Sequence, residues 1–391
     1  MPEPLKIGLL THSVLPRGGV VHALELASAL ARLGHEITVV APAEPGQAMF
    51  RQPGGQDAPV QLALLPTGTV RGSLVEQVGQ RIDALTRGLP GVLAFGHFDL
   101  LHVHDSLGGN ALANLRGAGF QIPPWLRTIH HLDRFSEPRL AAWQSRAWQS
   151  ADGLGCVSET WCAHLRGTQA RPVQRLHNGV DLQRFRPQAM PGDAPALAAL
   201  GLRNTSVCLA VGGVETRKNT RRLLQAFARL RATDPDWATA QLVIAGGASL
   251  LDHSVSRQAW ADTLQALGWA EGPDHPVWRT GPLADPLLPA LMRHARLLAM
   301  PSLMEGFGLV ALEALACGTP ALVSRRAPFT EHLAGEAAVG WCDPEDIASI
   351  ARGLQDTARL PRPQTTPQVC LDHGWAASAA THEAWYRQAL H

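Results

Sequence analysis

The sequence predicts an α/β protein of two doubly wound halves, and three observations carry that expectation. At 391 residues the chain exceeds what one ordinary hydrophobic core covers, given roughly 100 to 200 residues per domain. Short apolar runs rich in β-branched residues alternate with amphipathic stretches, as strands and covering helices do in a parallel sheet. The alternation lapses once, through "LHNGVDLQRFRPQAMPGDAP" at 176–195, where Asn-Gly, Pro and Gly supply turn and linker chemistry. It then restarts. The expected domains are 1–177 and 178–373, with a cleft between them that faces the carboxyl ends of both sets of strands.

In the first half, "KIGLLTH" reads as a strand and "PRGGV" as the loop after it. Residues 20–33 follow as a helix with Leu26, Leu30 and Leu33 on one face and Gly34 as its stop. "EITVVA" is the next strand, which completes a βαβ unit. The unit recurs as "DLLHVHD" with a helix at 108–118, "WLRTIH" with 136–150, and "GLGCVS" with 159–166. In the second half "SVCLAVGG" leads to a helix at 219–231, and "AQLVIAGG", "VWRTG", "ARLLAMPS" and "PALVS" are strands. After the proline-rich "RLPRPQTTPQ", the closing "GWAASAATHEAWYRQALH" is helical.

Composition narrows the function classes. Hydrophobic residues make up 46% and charged residues 17%, which fits a globular protein and argues against disorder. With 34 basic against 33 acidic residues, no nucleic acid and no strongly acidic surface is expected as the main partner. The six cysteines form no C-x-x-C pair and no zinc spacing, so they read as small buried hydrophobes. No run reaches about 18 unbroken apolar residues, and "MPEPLKIGLL" lacks a long apolar signal core. The expected location is a reducing cytoplasm, without stable membrane insertion but with room for peripheral membrane contact. Among the basic residues only Lys6 and Lys218 are lysines, so each invites a reason for a compact ammonium over a guanidinium fork.

The most informative stretch is "PSLMEGFGLVALEALACGTP", residues 301–320. Its strand ends before Glu305, and a helix begins near Gly308. The free N–H groups and positive dipole end of such a helix make an anion site, and glycines at 306 and 308 let backbone approach a phosphate. Glu313, five residues past Gly308, stands roughly 7.5 Å along the helix. Two carboxylates flanking a phosphate-sized gap suit a ligand with hydroxyls at both ends and phosphates in the middle, as in a sugar nucleotide.

This stretch resembles the E-x7-E region of family-4 type retaining glycosyltransferases, which have the GT-B fold of two Rossmann-like domains facing each other across a cleft. "PRGGVVHALELASAL", "TIHH" at 128–131, "NGVD" at 178–181 and "VGGVETRKN" at 211–219 fall in the order that the resemblance requires, so it covers nearly the whole chain. It implies that the last helix, 374–391, crosses back to complete the N-terminal, acceptor-side domain. It also implies that 178–373 binds the donor.

The resemblance further implies roles. Glu305 would hold hydroxyls of the transferred sugar, and Gly306, Phe307, Gly308 and Leu309 would offer backbone N–H groups to sugar and diphosphate. Glu313 would bind the ribose. Gly18 and Gly19, in the first strand-helix loop, would let backbone approach the donor phosphate. His130 would line the reaction centre, and Lys218 would neutralise the departing diphosphate. One departure stands out: the family usually has Gly-Arg where this chain has Gly212 and Gly213. Arg217, or Arg17 elsewhere on the cleft, would then supply the missing guanidinium.

The expected activity is transfer of a sugar from a nucleoside-diphosphate donor to an acceptor hydroxyl with retention of configuration, with no cofactor and no metal. Two other classes compete. A metal-dependent hydrolase would use His102 and His104, with Asp105, His130 and Asp133 near them in type. A non-catalytic nucleotide-sugar sensor is permitted by the missing arginine. "DPD" at 234–236 mimics a metal-binding D-x-D, but Pro235 marks it as a surface turn.

Overall fold

The computed structural model describes residues 3–202, 206–247, 253–284 and 286–391. They divide into two compact units, one reaching to Gly179 and including Trp375–His391, the other Val180–Gly374.

The first unit is built on strands β1 (Lys6–Leu10), β2 (Glu36–Ala43), β3 (Gly54–Gly55), β4 (Ala58–Pro66), β5 (Leu100–Val103), β6 (Trp125–Ile129), β7 (Gly153–Cys156) and β8 (Val173–Arg175), in the order β3-β4-β2-β1-β5-β6-β7-β8. Every pairing is parallel except β3 with β4. β5 and β6 are buried along their whole length, because helices cover both faces of a parallel sheet, and the polar His102, Arg127 and Thr128 among them are hydrogen-bonded. From β1 the chain steps to β2 on one side and later resumes with β5 on the other. The switch point therefore lies between β1 and β5, where crevices form at the carboxyl ends of strands.

Helix Gly18–Arg32 starts two residues before the expected 20–33, so Gly18 and Gly19 belong to its first turn rather than to a loop. Leu26 and Leu30 are fully buried, but Leu33 lies past the helix end at 44% exposure, off the expected face. Gly34 ends the helix with φ +95°, a conformation that costs glycine nothing. The other expected helices form as Ser106–Gly117, Pro138–Gln149 and Glu159–Arg166. The pattern gave no element to β4 or to helix Leu74–Gly96. Gly88, Pro90 and Gly91 inside that helix mimic a loop. Its readable signal was the capping box, in which Ser73 and Glu76 satisfy each other's backbone.

Helix Trp375–Leu390 joins this unit, where Trp375, Ala379, Trp385 and Tyr386 enter the core formed by Leu24, Leu26 and Leu30. Gly179 makes room for it: a Cβ there would lie 2.4 Å from Trp375 Cδ2. The buried Tyr386 hydroxyl and the His102 Nδ1 are 2.7 Å apart, and the other ring nitrogen, Nε2, is 2.7 Å from Thr128 Oγ1. His102 thus ties the last helix to β5 and β6.

The second unit holds β9 (Val207–Val211), β10 (Gln241–Ala245), β11 (Val277–Gly281), β12 (Leu297–Met300), β13 (Ala321–Ser324) and β14 (Val339–Cys342), all parallel, in the order β11-β10-β9-β12-β13-β14. Its switch point lies between β9 and β12. Phe227, Trp237, Trp260, Leu242 and Leu354 fill one side of the core. The "DPD" stretch is a short 3-10 turn in which Asp234 accepts from the Asp236 N–H and from Gln355, as its proline led one to expect. All six cysteines are buried free thiols. No described helix is long and apolar enough to cross a membrane.

Removing the Tyr386 hydroxyl should leave a His102 nitrogen buried without its partner. Tyr386→Phe is therefore expected to lower the urea-unfolding free energy by about 1–3 kcal/mol. An unchanged midpoint would show that the hydroxyl contributes nothing.

Candidate active site

Two loops converge at the switch point of the second unit, one after β9 and one after β12. Gly212 takes φ +122°, and a Cβ on it would sit 3.4 Å from Lys218 Cε. Asn219 is left-handed at φ 59°, which Asn tolerates better than most residues. Its Nδ2 donates to the carbonyls of Pro301 at 2.9 Å and Pro344 at 2.7 Å. The Leu303 N–H adds a 2.8 Å bond to the Arg217 carbonyl. The loops following β9, β12 and β14 are thus stapled together by one buried amide and one backbone bond.

The staple brings Arg217, Lys218 and Glu305 into contact. Lys218 Nζ lies 2.8 Å from Glu305 Oε1, and Arg217 donates to Oε2 at 2.9 Å. Arg217 also donates to the Met304 carbonyl and lies 3.6 Å from Glu215, itself 3.7 Å from His253. Glu305 is 8% exposed. Burial opposes its ionisation, but Lys218 and then Arg217 outweigh that and hold its carboxyl at about 2. A recess beside the triad is lined by Gly212, Gly213, Lys218, Met300 and Ser302.

Past Glu305 the chain enters helix Leu309–Ala316 through Gly308, which is left-handed at φ +87°. A Cβ there would lie 2.3 Å from Phe329 Cε1, so the fold itself demands this glycine. The Phe307 ring is buried and stacks on His332 with centroids 4.5 Å apart. Only its backbone is left to serve a ligand. Glu313 lies inside the helix, buried at 8% exposure.

The remaining candidates belong to the first unit. Gly18 and Gly19 have ordinary φ; a Cβ on Gly18 would meet nothing within 4 Å, and one on Gly19 only His12 at 3.8 Å. Packing within the chain gives neither position a steric reason to be glycine. His130, at the end of β6, puts its Nε2 3.3 Å from His104 Nδ1 and its ring edge on His22 at 4.6 Å. Burial, with neighbouring histidines or Arg127 adding to it, keeps His22, His104 and His130 well below the usual imidazole range. Arg127 is buried, bonds the carbonyls of Val103 and Thr128, and is lowered by burial to about 10 against the pull of Asp105.

The hydrolase constellation does not assemble as expected. Both His102 nitrogens are engaged by Tyr386 and Thr128. Asp105 caps Ser106–Gly117 through the Gly108 N–H, and Asp133 lies 3.5 Å from His131. Sequence reasoning also missed Glu215, Asn219 and His22. The first two stand in "VGGVETRKN" next to the singled-out lysine, whereas a histidine within an apolar helical face carries no local signal.

Each unit is a doubly wound α/β fold with polar groups at its switch point, the place where such folds bind ligands. Residues 16–184 match the family described as Glycosyltransferase Family 4, and residues 199–365 match Glycosyl transferases group 1. The chain is 30% identical to a D-inositol 3-phosphate glycosyltransferase of Salinispora arenicola, with 99% of this chain and 90% of that protein covered. It is also 30% identical to the Streptomyces scabiei protein of the same name, over 96% of this chain and 87% of that one. Among solved structures, sucrose-phosphate synthase from Thermosynechococcus elongatus superposes with a TM-score of 0.77 at 22% identity, covering 98% of both chains. Anabaena HepE in complex with UDP-glucose gives 0.63 at 18%, covering 99% of this chain and 95% of that one. The chain belongs to the family-4 type glycosyltransferases and has their GT-B fold. It moves a sugar from a nucleotide donor to an acceptor.

The triad makes stability depend on pH with a defined sign. A carboxyl held at about 2 in the folded chain, against an ordinary value near 4.5, stabilises above the ordinary value, and that contribution is lost as pH falls through the folded one. The unfolding free-energy difference between native protein and Glu305→Gln should be flat above about pH 5 and shrink on acidification by about 3 kcal/mol in all. A difference independent of pH would show that Glu305 is not held ionised by its two cations.

Proposed function

We propose that the chain transfers a glycosyl group with retention of configuration from a nucleoside-diphosphate sugar, handling the donor at the switch point of its second unit. One observation carries this reading: a buried carboxylate, Glu305, held at both oxygens by Lys218 and Arg217, immediately before a glycine-entered helix. Fixed charges around a helix N-terminus suit a reaction whose transition state gathers negative charge on a leaving diphosphate.

In this reading Lys218 keeps one donor on Glu305 and turns others to the phosphate oxygens, which draw more on it as the glycosidic bond lengthens. The N–H groups of Gly306 through Leu309 take the remaining phosphate and sugar oxygens. Glu305, ionised and immobile, accepts from sugar hydroxyls and sets the face that the acceptor can reach. Glu313 accepts from the ribose. His130, Gly18 and Gly19 are the first unit's candidates for contact with a sugar and a phosphate. The positive charge comes from side chains and backbone, so no resident metal or cofactor takes part. The relatives' names suggest a phosphorylated cyclitol as the first acceptor to try, with its hydroxyl as nucleophile.

Thermal-shift screening of nucleotide sugars, followed by transfer to cyclitol phosphates and anomeric assignment of the product by NMR, tests the whole reading. Donor binding without transfer to any acceptor, or without hydrolysis, would favour a sensor instead. Two sets of variants divide the roles. Glu313→Ala should weaken free nucleoside diphosphate and donor alike, by about 1–3 kcal/mol, whereas Glu305→Gln should spare the free nucleotide. Equal loss in both would contradict the ribose and sugar assignments. If Arg217 stands in for the arginine absent at Gly213, Arg217→Ala should slow turnover as Lys218→Ala does, on the order of a hundredfold. Full activity with unchanged donor affinity would turn attention to Arg17.

A further inference from the structure

We propose that His22, His104 and His130, all in the first unit, form a binding site for a borderline-soft divalent cation of the zinc and cobalt class. One nitrogen from each of the three rings lies within 4.8 Å of the others. Nitrogens bound at 2.0–2.1 Å to a tetrahedral ion stand roughly 3.3 Å apart. The His104 Nδ1 and His130 Nε2 pair is already at 3.3 Å as a hydrogen bond; an ion between them would displace the shared proton to the far nitrogen of its ring and draw the His22 nitrogen inward.

A second observation points to a ligand. Both nitrogens of His22 are buried without a hydrogen-bond partner, although the residue is only 1% exposed. An imidazole sealed away with orphaned nitrogens is costly; a cation takes the lone pair of one His22 nitrogen, and the N–H on the other is left for a protein acceptor. Asn178, beside His22, has its own Oδ1 buried without a partner; it is placed to accept from the second His22 nitrogen and so fix the ring, as outer partners of metal-bound histidines do.

The three ligands sit on firm supports: helix Gly18–Arg32, the end of β5 and the end of β6. His102 is excluded, because Tyr386 and Thr128 take both its nitrogens. Three neutral imidazoles suit zinc, cobalt, nickel or copper, whereas magnesium and calcium require oxygen. No carboxylate joins the set, and the buried Arg127 lies close enough to oppose a dication. The affinity is accordingly that of a regulatory ion rather than of a structural zinc. His130, the most exposed of the three, is the route of entry. The ion would immobilise His130, so occupancy should inhibit transfer; this consequence rests on the sugar-facing role given to His130 above, whereas binding itself does not.

The test uses the full-length, tag-free chain, stripped with EDTA and desalted. Cobalt(II) chloride should produce the visible bands of tetrahedral cobalt at one equivalent per chain, bleached by zinc chloride. His130→Gln and His104→Gln should each weaken cobalt at least tenfold, and His131→Gln, one residue away, should leave it unchanged. Should His104→Gln fail to fold, the native titration and the half-buried His130→Gln decide alone. Absence of tetrahedral bands in the native protein, or unchanged affinity in His130→Gln, would overturn the site. Turnover should persist in EDTA, fall with zinc and recover on chelation. A site that binds zinc with no effect on transfer would stand as a site and remove His130 from the reaction centre.

Discussion

The second unit depends on one buried carboxylate that could not remain ionised without help. Glu305 sits where burial should drive its pKa upward, yet the cations of Lys218 and Arg217 hold it at about 2. Neither cation reaches it by chance of packing. Asn219 turns left-handed directly after Lys218 and anchors on the carbonyls of Pro301 and Pro344, which fixes the loop after β9 against those after β12 and β14. Side-chain charge and backbone geometry are therefore mutually supporting. Loss of the staple would let the cations drift, and loss of the cations would leave a buried charge unpaired. A pre-assembled, rigid charge set of this kind suits catalysis by electrostatic preorganisation, because little reorganisation is left for the moment of reaction.

The two units share a topology and differ in chemistry. Each has its switch point between the first strand and the strand that resumes on its other side, β1 with β5 and β9 with β12. In the second unit that position holds formal charges of both signs. In the first, the residues near it are mainly imidazoles kept neutral by burial, with Arg127 drawn inward by backbone carbonyls. Neutral, adaptable donors and acceptors suit a hydroxyl-rich ligand, whereas fixed charge suits phosphate.

Strands buried on both faces were legible because covering helices force continuous apolar runs, as in "SVCLAVGG" and "ARLLAMPS". β4 and helix Leu74–Gly96 were not, since Gly88, Pro90 and Gly91 break the periodicity that identifies a helix even though its capping box survives. At the site, Glu305 and Lys218 could be singled out by spacing, scarcity and family resemblance. Their direct contact could not, because it links positions 87 apart through loop geometry that no local pattern encodes. Asn219 was invisible for a related reason: its role is to bond two distant carbonyls, and an asparagine before a helix ordinarily reads as a cap. The pairing of His102 and His104 on one strand face was read correctly as geometry and wrongly as a shared ligand set, since only the fold reveals that Tyr386 and Thr128 occupy His102.

Glycines show how far such inferences can be pressed. Gly308 and Gly212 both lie in the left-handed region, and a side chain on Gly308 would strike Phe329. The fold requires them whatever the ligand, so their presence says little about phosphate. Gly18 and Gly19 are the opposite case. They occupy ordinary helical backbone in the first turn, where a Cβ on Gly18 would meet nothing within 4 Å and one on Gly19 only His12 at 3.8 Å, so alanine would fit at either position. The backbone would accept a side chain at both, so these two glycines, unlike Gly308 and Gly212, are not explained by conformation or packing within the chain.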